Sequence, residues 1–196
     1  MRLIAFLLGF FWTLQAVASS PSDLRGFGQK APVQLYLFTS LTCPYCANFH
    51  KNVFPSILKE YVDTGKAQLI IVDVIRGQRD MLGTSAVRCL SGKKADKLEN
   101  FLYENQQKLR KEEIAEVKKT IIDQVKKDNV KETEIKHCMN DSELQKSITD
   151  QQENLSKLYD VGGVPALVVR KGLEIHKWSG ANKKEIMAGL KEALEE

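Results

Sequence analysis

The run Val33-Gln34-Leu35-Tyr36-Leu37-Phe38-Thr39 leads through three residues into Cys43-Pro44-Tyr45-Cys46, and no other feature of this 196-residue chain restricts its fold as much. The first part has the β-branched and aromatic content of a buried strand. From Cys43 the period changes. Cys43, Cys46, Ala47 and His50 would share one helical face, and Pro44 is tolerated in a first turn because its missing N–H would have had no partner there. Pro55 cannot continue such a helix, so a kink or restart is expected near Val53 and Phe54. Asp63-Thr64-Gly65 then signals a turn, and Ala67 to Ile75 is a second continuous apolar strand. Strand, helix and strand at this spacing predict a parallel crossover unit.

The texture changes after this unit. From about Leu82 to Tyr159 the chain is rich in Lys, Glu, Gln and Leu and has no proline. Its apolar positions (Leu98, Phe101, Leu102, Leu109, Ile114, Val117, Ile121) recur at helical spacing. The lysines of "KKADKLEN" and "LRKEEIAEVKK" alternate with acids and read as solvated helix faces. Strand character returns at Pro165 to Val169. A Lys171-Gly172 turn and Leu173 to Trp178 follow, close enough for an antiparallel hairpin, and Asn182 could cap a final helix. The predicted order is therefore β-α-β, a helical insertion, then β-β-α.

The chain opens with a basic Met1-Arg2, an apolar run from Leu3 to Leu14, and Gln15-Ala16-Val17-Ala18 with small residues placed for cleavage before Ser19. This is the layout of a cleavable signal peptide, and the run is short for a membrane span. Cleavage would leave 196 − 18 = 178 residues, enough for one core carrying an insertion. It would also remove one positive charge, Arg2, from a formal net charge of +4. So small a surplus, interleaved with acids, argues against nucleic acid as a partner. In an exported, oxidising setting all four cysteines (43, 46, 89 and 138) can bridge, and four cysteines allow three pairings.

The Cys43–Cys46 spacing permits three chemistries. A helix N-terminus presents unpaired N–H groups and positive partial charge, which favour a thiolate. Cys43 is expected in an exposed first-turn position, and Cys46, a turn deeper, could attack a mixed disulfide formed on it. A permanent bridge is the plainer alternative. The third is a metal site, since Cys43, Cys46 and His50 form a C-x2-C-x3-H cluster of the kind zinc or cuprous copper accepts, although no neighbouring residue offers a fourth ligand. His50 reads as a solvated helix residue. His137 beside Cys138 reads as incidental, His176 lies in an alternating strand, and none of the three pairs with a cysteine as a protease dyad would.

Taken together, "TSLTCPYCANFH" after an apolar strand, the helical insertion, and "VGGVPALVV" leading into a hairpin and terminal helix resemble the DsbA-like thiol–disulfide oxidoreductases of the thioredoxin superfamily. The resemblance covers nearly all of the chain after Ala18. It implies an α/β, thioredoxin-like fold with an inserted α-helical subdomain, the domain being 33–80 and 160–196, the insertion 81–159, and 19–32 an N-terminal segment. It implies that Cys43 is the nucleophile and Cys46 the resolving thiol, that Pro44 and Tyr45 tune the thiolate, and that Val164-Pro165 is a cis-proline loop facing them. Proline has no N–H to offer, which would leave the Val164 backbone to pair with an extended substrate chain.

The implied activity is donation of the Cys43–Cys46 disulfide to reduced, unfolded exported proteins in a bacterial periplasm. A membrane oxidase would reoxidise the pair, with no cofactor, metal or nucleic acid required. The chain ends Glu195-Glu196 without an endoplasmic-reticulum retention tetrapeptide. The alternatives are an isomerase or reductase of the same superfamily, a copper- or zinc-binding protein using Cys43, Cys46 and His50, and a redox-inert adaptor. About 14 residues, 19–32, precede the first strand, too few for the dimerisation domain isomerases often append, which disfavours the isomerase; the oligomeric state stays open, with a monomer favoured. Two departures from the family pattern stand out. The buried acid many relatives carry six residues before the nucleophile is Leu37 here, leaving proton transfer to water or to Asp73 on the next strand, unless Asp73 simply faces solvent. Tyr45 brings no positive charge where the strongest oxidants place histidine, which predicts a milder oxidant. Cys89 and Cys138 remain, both within the insertion and without a base nearby. Export, and an extra pair in some relatives, predict a structural disulfide between them.

Overall fold

The computed structural model describes residues 24–195; the expected signal peptide, residues 1–18, lies outside the described residues. Five strands form one sheet: β1 (Gly26–Phe27), β2 (Val33–Thr39), β3 (Ala67–Asp73), β4 (Ala166–Lys171) and β5 (Glu174–Ser179), in the order β1-β3-β2-β4-β5. β2 and β3 are parallel, paired from Val33↔Ala67 to Thr39↔Asp73, and every other pairing is antiparallel. The central strands β2 and β3 are the two apolar runs of the sequence. β3 ends two residues earlier than expected, because the Ile75 N–H turns away to Gln152 Oε1 at 2.7 Å. The two-residue β1 carries no sequence signal and exists only by pairing with β3.

The crossover between β2 and β3 breaks where Pro55 demands it. Helix α1 (Pro44–Asn52) stops, α2 (Phe54–Ile57) restarts, and a π-helical turn (Leu58–Val62) closes with the Asp63 N–H on Leu58 O at 2.8 Å. Proline can donate no hydrogen bond at that point, and a π turn absorbs the extra residue. Six helices follow: α3 (Gln78–Arg88), α4 (Gly92–Glu104), α5 (Gln106–Leu109), α6 (Ile114–Lys126), α7 (Glu132–Asn140) and α8 (Ser142–Leu158). After β4 and β5, joined at a Gly172 of φ 64°, α9 (Lys183–Glu195) ends the described chain, its first turn held by the Glu185 N–H on Asn182 Oδ1.

The apolar side chains sort into three clusters. One face of the sheet packs Leu35, Leu37, Leu69, Ile71, Leu167 and Val169 under α1, α2 and α9. The opposite face holds Tyr36, Phe38, Val72 and Val168 against Tyr159, just past α8. The third cluster is the insertion's own core, Leu82, Leu98, Leu102, Ile121, Ile135 and Met139 among others, and it also takes in Cys43 and Cys46. The paired cysteines therefore sit at the seam between the sheet and the inserted helices. The expectation that the acids of "KKADKLEN" lie on a solvated face fails at Glu99. It is buried and paired with Arg25 at 2.7 Å, because the segment before β1 is drawn against α4.

Candidate active site

β2 delivers the chain to the seam, and a tight loop turns it into α1. Cys43 is the residue before the helix, at φ −87° and ψ 118°, and Pro44 opens the first turn. A buried carboxylate that local sequence does not advertise shapes this loop. Asp80, 1% exposed, accepts from Ser40 Oγ (2.9 Å), the Thr42 N–H (2.9 Å), Thr42 Oγ1 (2.8 Å) and the Arg76 N–H (3.0 Å). From the other side the buried Gln106 amide donates to Leu41 O (2.7 Å) and Cys43 O (2.9 Å). Two helices of the insertion thus hold the two ends of the turn that presents Cys43. Truncating Asp80 to alanine would leave four donors without their partner, so we expect a loss of about 3 kcal/mol or more. Urea unfolding of Asp80→Ala against the parent protein reads this directly.

The two thiols are unpaired and occupy different environments. Contrary to the sequence expectation, Cys43 is not exposed. It is 4% accessible, because the loop before β4 covers it, and its Sγ donates to Val164 O at 3.5 Å. The Val164–Pro165 bond is cis. Around this covered sulfur Pro44 and Tyr45 stand exposed, Tyr45 at 70%. Cys46 is fully buried. Burial pushes its thiol up to about 12, and contact with Cys43 adds to the shift; hydrogen bonds from the Ser40 backbone and the Thr39 side chain oppose it.

Behind the cysteines lies a layer of buried polar groups. Thr39 Oγ1 and Tyr103 Oη are 2.7 Å apart. Asp73 does not face solvent. It accepts from Arg88 Nε at 2.9 Å, and burial, only partly countered by that arginine, holds its carboxyl above the usual range. Arg88 continues to Gln151 Oε1 at 2.8 Å, while Arg25 joins Asp96 and Glu99. Burial, with the Glu99 charge added, raises the Tyr103 phenol well above its ordinary value.

His50 is not a solvated residue either. It is half-buried, stacked on Phe54 (4.9 Å) and Tyr103 (4.4 Å), with Nε2 2.6 Å from Asn100 Oδ1. Its Nε2 is thus engaged with Asn100, and no group of three or more candidate metal ligands occurs among the described residues. The ring lines an open groove of about 780 Å³ between α1 and α4, with Pro44, Phe54 and Tyr103 also on its walls. Cys89, which follows α3, and Cys138 of α7 are joined in a disulfide with Cα atoms 6.1 Å apart. Asp80, Gln106, Thr39 and Tyr103 escaped sequence reading. Only Asp80 left a trace, as an acid in a helix's first turn, where it reads merely as a companion of the helix dipole.

The family model described as Thioredoxin matches residues 26–186. A relative named as a protein-disulfide oxidoreductase in Rickettsia typhi is 24% identical over 180 residues, 89% of this chain and 63% of its own length. Another, from Rickettsia prowazekii, aligns over only 25% of its length, so the chain spans less than two thirds of these relatives. A Bacillus cereus protein named disulfide bond formation protein D is 27% identical, over 73% of this chain and 68% of its own. Among solved structures, Wolbachia pipientis α-DsbA1 superposes with a TM-score of 0.76 at 20% identity, covering 88% of this chain and 90% of that one. Oxidised BdbD from Bacillus subtilis gives 0.72 at 21%, covering 90% and 96%. Both share the thioredoxin-like fold with its helical insertion.

Proposed function

The chain belongs to the thioredoxin family, and we propose that it is a DsbA-like thiol–disulfide oxidoreductase that donates a disulfide held by Cys43 and Cys46 to unfolded or folding exported proteins. The observation that carries this reading is the asymmetry of the pair. Cys43 begins a helix beneath the Val164 carbonyl, whereas Cys46 is sealed in the core with its thiol pushed up to about 12. A substrate thiolate attacks Cys43 Sγ, and the Cys43–Cys46 bond breaks with its electron pair on Cys46, which then takes a proton. A second substrate thiolate attacks the substrate sulfur of the mixed disulfide and releases Cys43. The substrate loses two electrons and two protons, and the enzyme pair gains them. Cys46, a poor thiolate at neutral pH, favours the protonated dithiol once the pair is opened.

Pro44 and Tyr45 flank the reacting sulfur and tune it, while Val164 and Pro165 offer main chain to an extended substrate. The cysteine pair is the redox group, so no other cofactor is required. Export to the periplasm, a monomeric state and a membrane oxidase that reoxidises the pair complete the proposal. The names of the Rickettsia and Bacillus relatives support the disulfide chemistry. The test is the reduction potential of Cys43–Cys46 equilibrated with glutathione, with free thiols trapped and mapped. A value above the glutathione pool, with Cys89–Cys138 still bridged, is expected. A strongly reducing value would overturn donation in favour of a reductase or isomerase.

A further inference from the structure

The peptide between Cys43 and Pro44 has no N–H, so it can be held only through its carbonyl oxygen. That oxygen has two donors. One is the Ala47 N–H at 3.1 Å, which belongs to α1 and moves with it. The other is Gln106 Nε2 at 2.9 Å, from α5 of the insertion, 63 positions along the chain. The same nitrogen also donates to Leu41 O at 2.7 Å. A side-chain amide nitrogen carries two hydrogens, so both are spent on the cysteine loop. Gln106 is 3% exposed and borders a small cavity whose walls include Leu102, Leu109, Val117 and Ile121. An amide in such surroundings is costly unless its hydrogens are paired, which holds the side chain to these two carbonyls.

We infer that Gln106 is a positioning residue that favours the dithiol form of the Cys43–Cys46 pair, and so raises its power to give a disulfide away. The inference rests on disulfide exchange at these two cysteines. In that exchange the protein disulfide and two glutathione thiols become the protein dithiol and glutathione disulfide. The glutathione sulfurs lose two electrons, and these pass with two protons to Cys43 and Cys46. In the disulfide form the Cys43–Cys46 bond closes a ring and restrains Cys43 covalently; in the dithiol that restraint is gone. Cys43 is then held by Ser40 O on its N–H at 3.2 Å, by Gln106 on its carbonyl, and by Val164 O on its sulfur at 3.5 Å. The described pair is the dithiol, so these contacts are its own. The Ser40 contact lies within the loop, whereas Gln106 and Val164 tie Cys43 to elements outside it. Asp80 acts at the other end, on Ser40 and Thr42, and as an acceptor it cannot replace Gln106 at a carbonyl. Losing the Gln106 hydrogens therefore costs the dithiol more than the disulfide.

The test uses the full chain with Cys89–Cys138 intact and the variants Gln106→Met and Gln106→Asn. Methionine keeps the length of the side chain but has no hydrogen to give. Asparagine keeps the amide but is one methylene shorter, too short to reach both carbonyls. Two quantities are followed below the unfolding transition: the equilibrium constant of the pair against glutathione, and the Cys43 carbonyl carbon resonance of the dithiol. Cys43-Pro44 is the one Cys-Pro step in the sequence, so labelling cysteine at its carbonyl carbon and proline at its nitrogen isolates this peptide. Gln106→Met should shift the equilibrium about fivefold toward the protein disulfide and move the carbonyl resonance upfield, and Gln106→Asn should shift the equilibrium about twofold. A merely structural role would lower the unfolding midpoint of both redox forms alike and leave the equilibrium constant where it is. An unmoved constant in Gln106→Met, or in Gln106→Asn should the methionine variant not fold, would overturn the inference, as would a shift toward the dithiol. Each variant is compared with the parent protein on whichever side of glutathione the parent lies, so a reducing parent would sink the proposed function and leave this result standing.

Discussion

Replacing Cys46 with alanine should convert the protein into a trap. The lone Cys43 thiolate can still attack a disulfide in an oxidised polypeptide, releasing one substrate thiol, but no second sulfur is placed to expel the other. A covalent adduct through Cys43 should therefore accumulate and run as a shifted, reductant-sensitive band, while catalysed insulin reduction falls to the uncatalysed rate. The expectation follows from burial. Cys46 is fully enclosed by the insertion's core, and only it lies behind Cys43; Cys89 and Cys138 are joined to each other. A variant that turned over normally would remove Cys46 from the mechanism. Cys43→Ala should form no adduct, which separates capture by the site from nonspecific thiol exchange.

The second large effect concerns stability. Serine at both Cys89 and Cys138 opens a loop of 49 residues, and loop-closure entropy puts the loss at about 4 kcal/mol. For a chain of this size that corresponds to a fall in melting temperature of roughly 8–16 °C. The bridge ties the end of α3 to α7, while Asp80 and the cysteine loop lie at the other end of α3, about 13 Å away along the helix axis. Exchange at Cys43 should therefore continue below the new melting temperature. Calorimetry with and without reductant checks the first statement, and the glutathione attack rate the second. Identical unfolding of the serine variant would deny the bridge a stabilising role.

Much of this molecule is written locally. A short run rich in β-branched and aromatic residues and bounded by turn signals reads as a covered strand, a proline with no N–H opens a helix or breaks one, and a proline-free stretch with a helical apolar period reads as helical. These rules place β2, β3, the break at Val53 and the inserted helices, because each follows from a few neighbouring residues. Cys43 and Cys46 were legible for the same reason: their spacing and Pro44 carry the signal within one turn of helix.

What could not be read is everything that depends on residues far apart in the chain meeting. Asp80, Gln106, Thr39 and Tyr103 are ordinary polar residues, and nothing in their neighbours says they will be buried. The contacts that give them meaning span 38, 63 and 64 positions, for Asp80 with Thr42, Gln106 with Cys43 and Thr39 with Tyr103. The covering of Cys43 by Val164 spans 121. His50 and Glu99 were misjudged on the same account, since helical period alone cannot tell a face that meets water from one that meets another helix. By itself the sequence determined the central strands, the inserted helices and the C-x-x-C spacing that marks Cys43 and Cys46 as the candidate pair. Packing the insertion against the end of the sheet decided how covered those sulfurs are and which hydroxyl and carboxylate groups surround them, because burial and long-range hydrogen bonding arise only once the chain has closed.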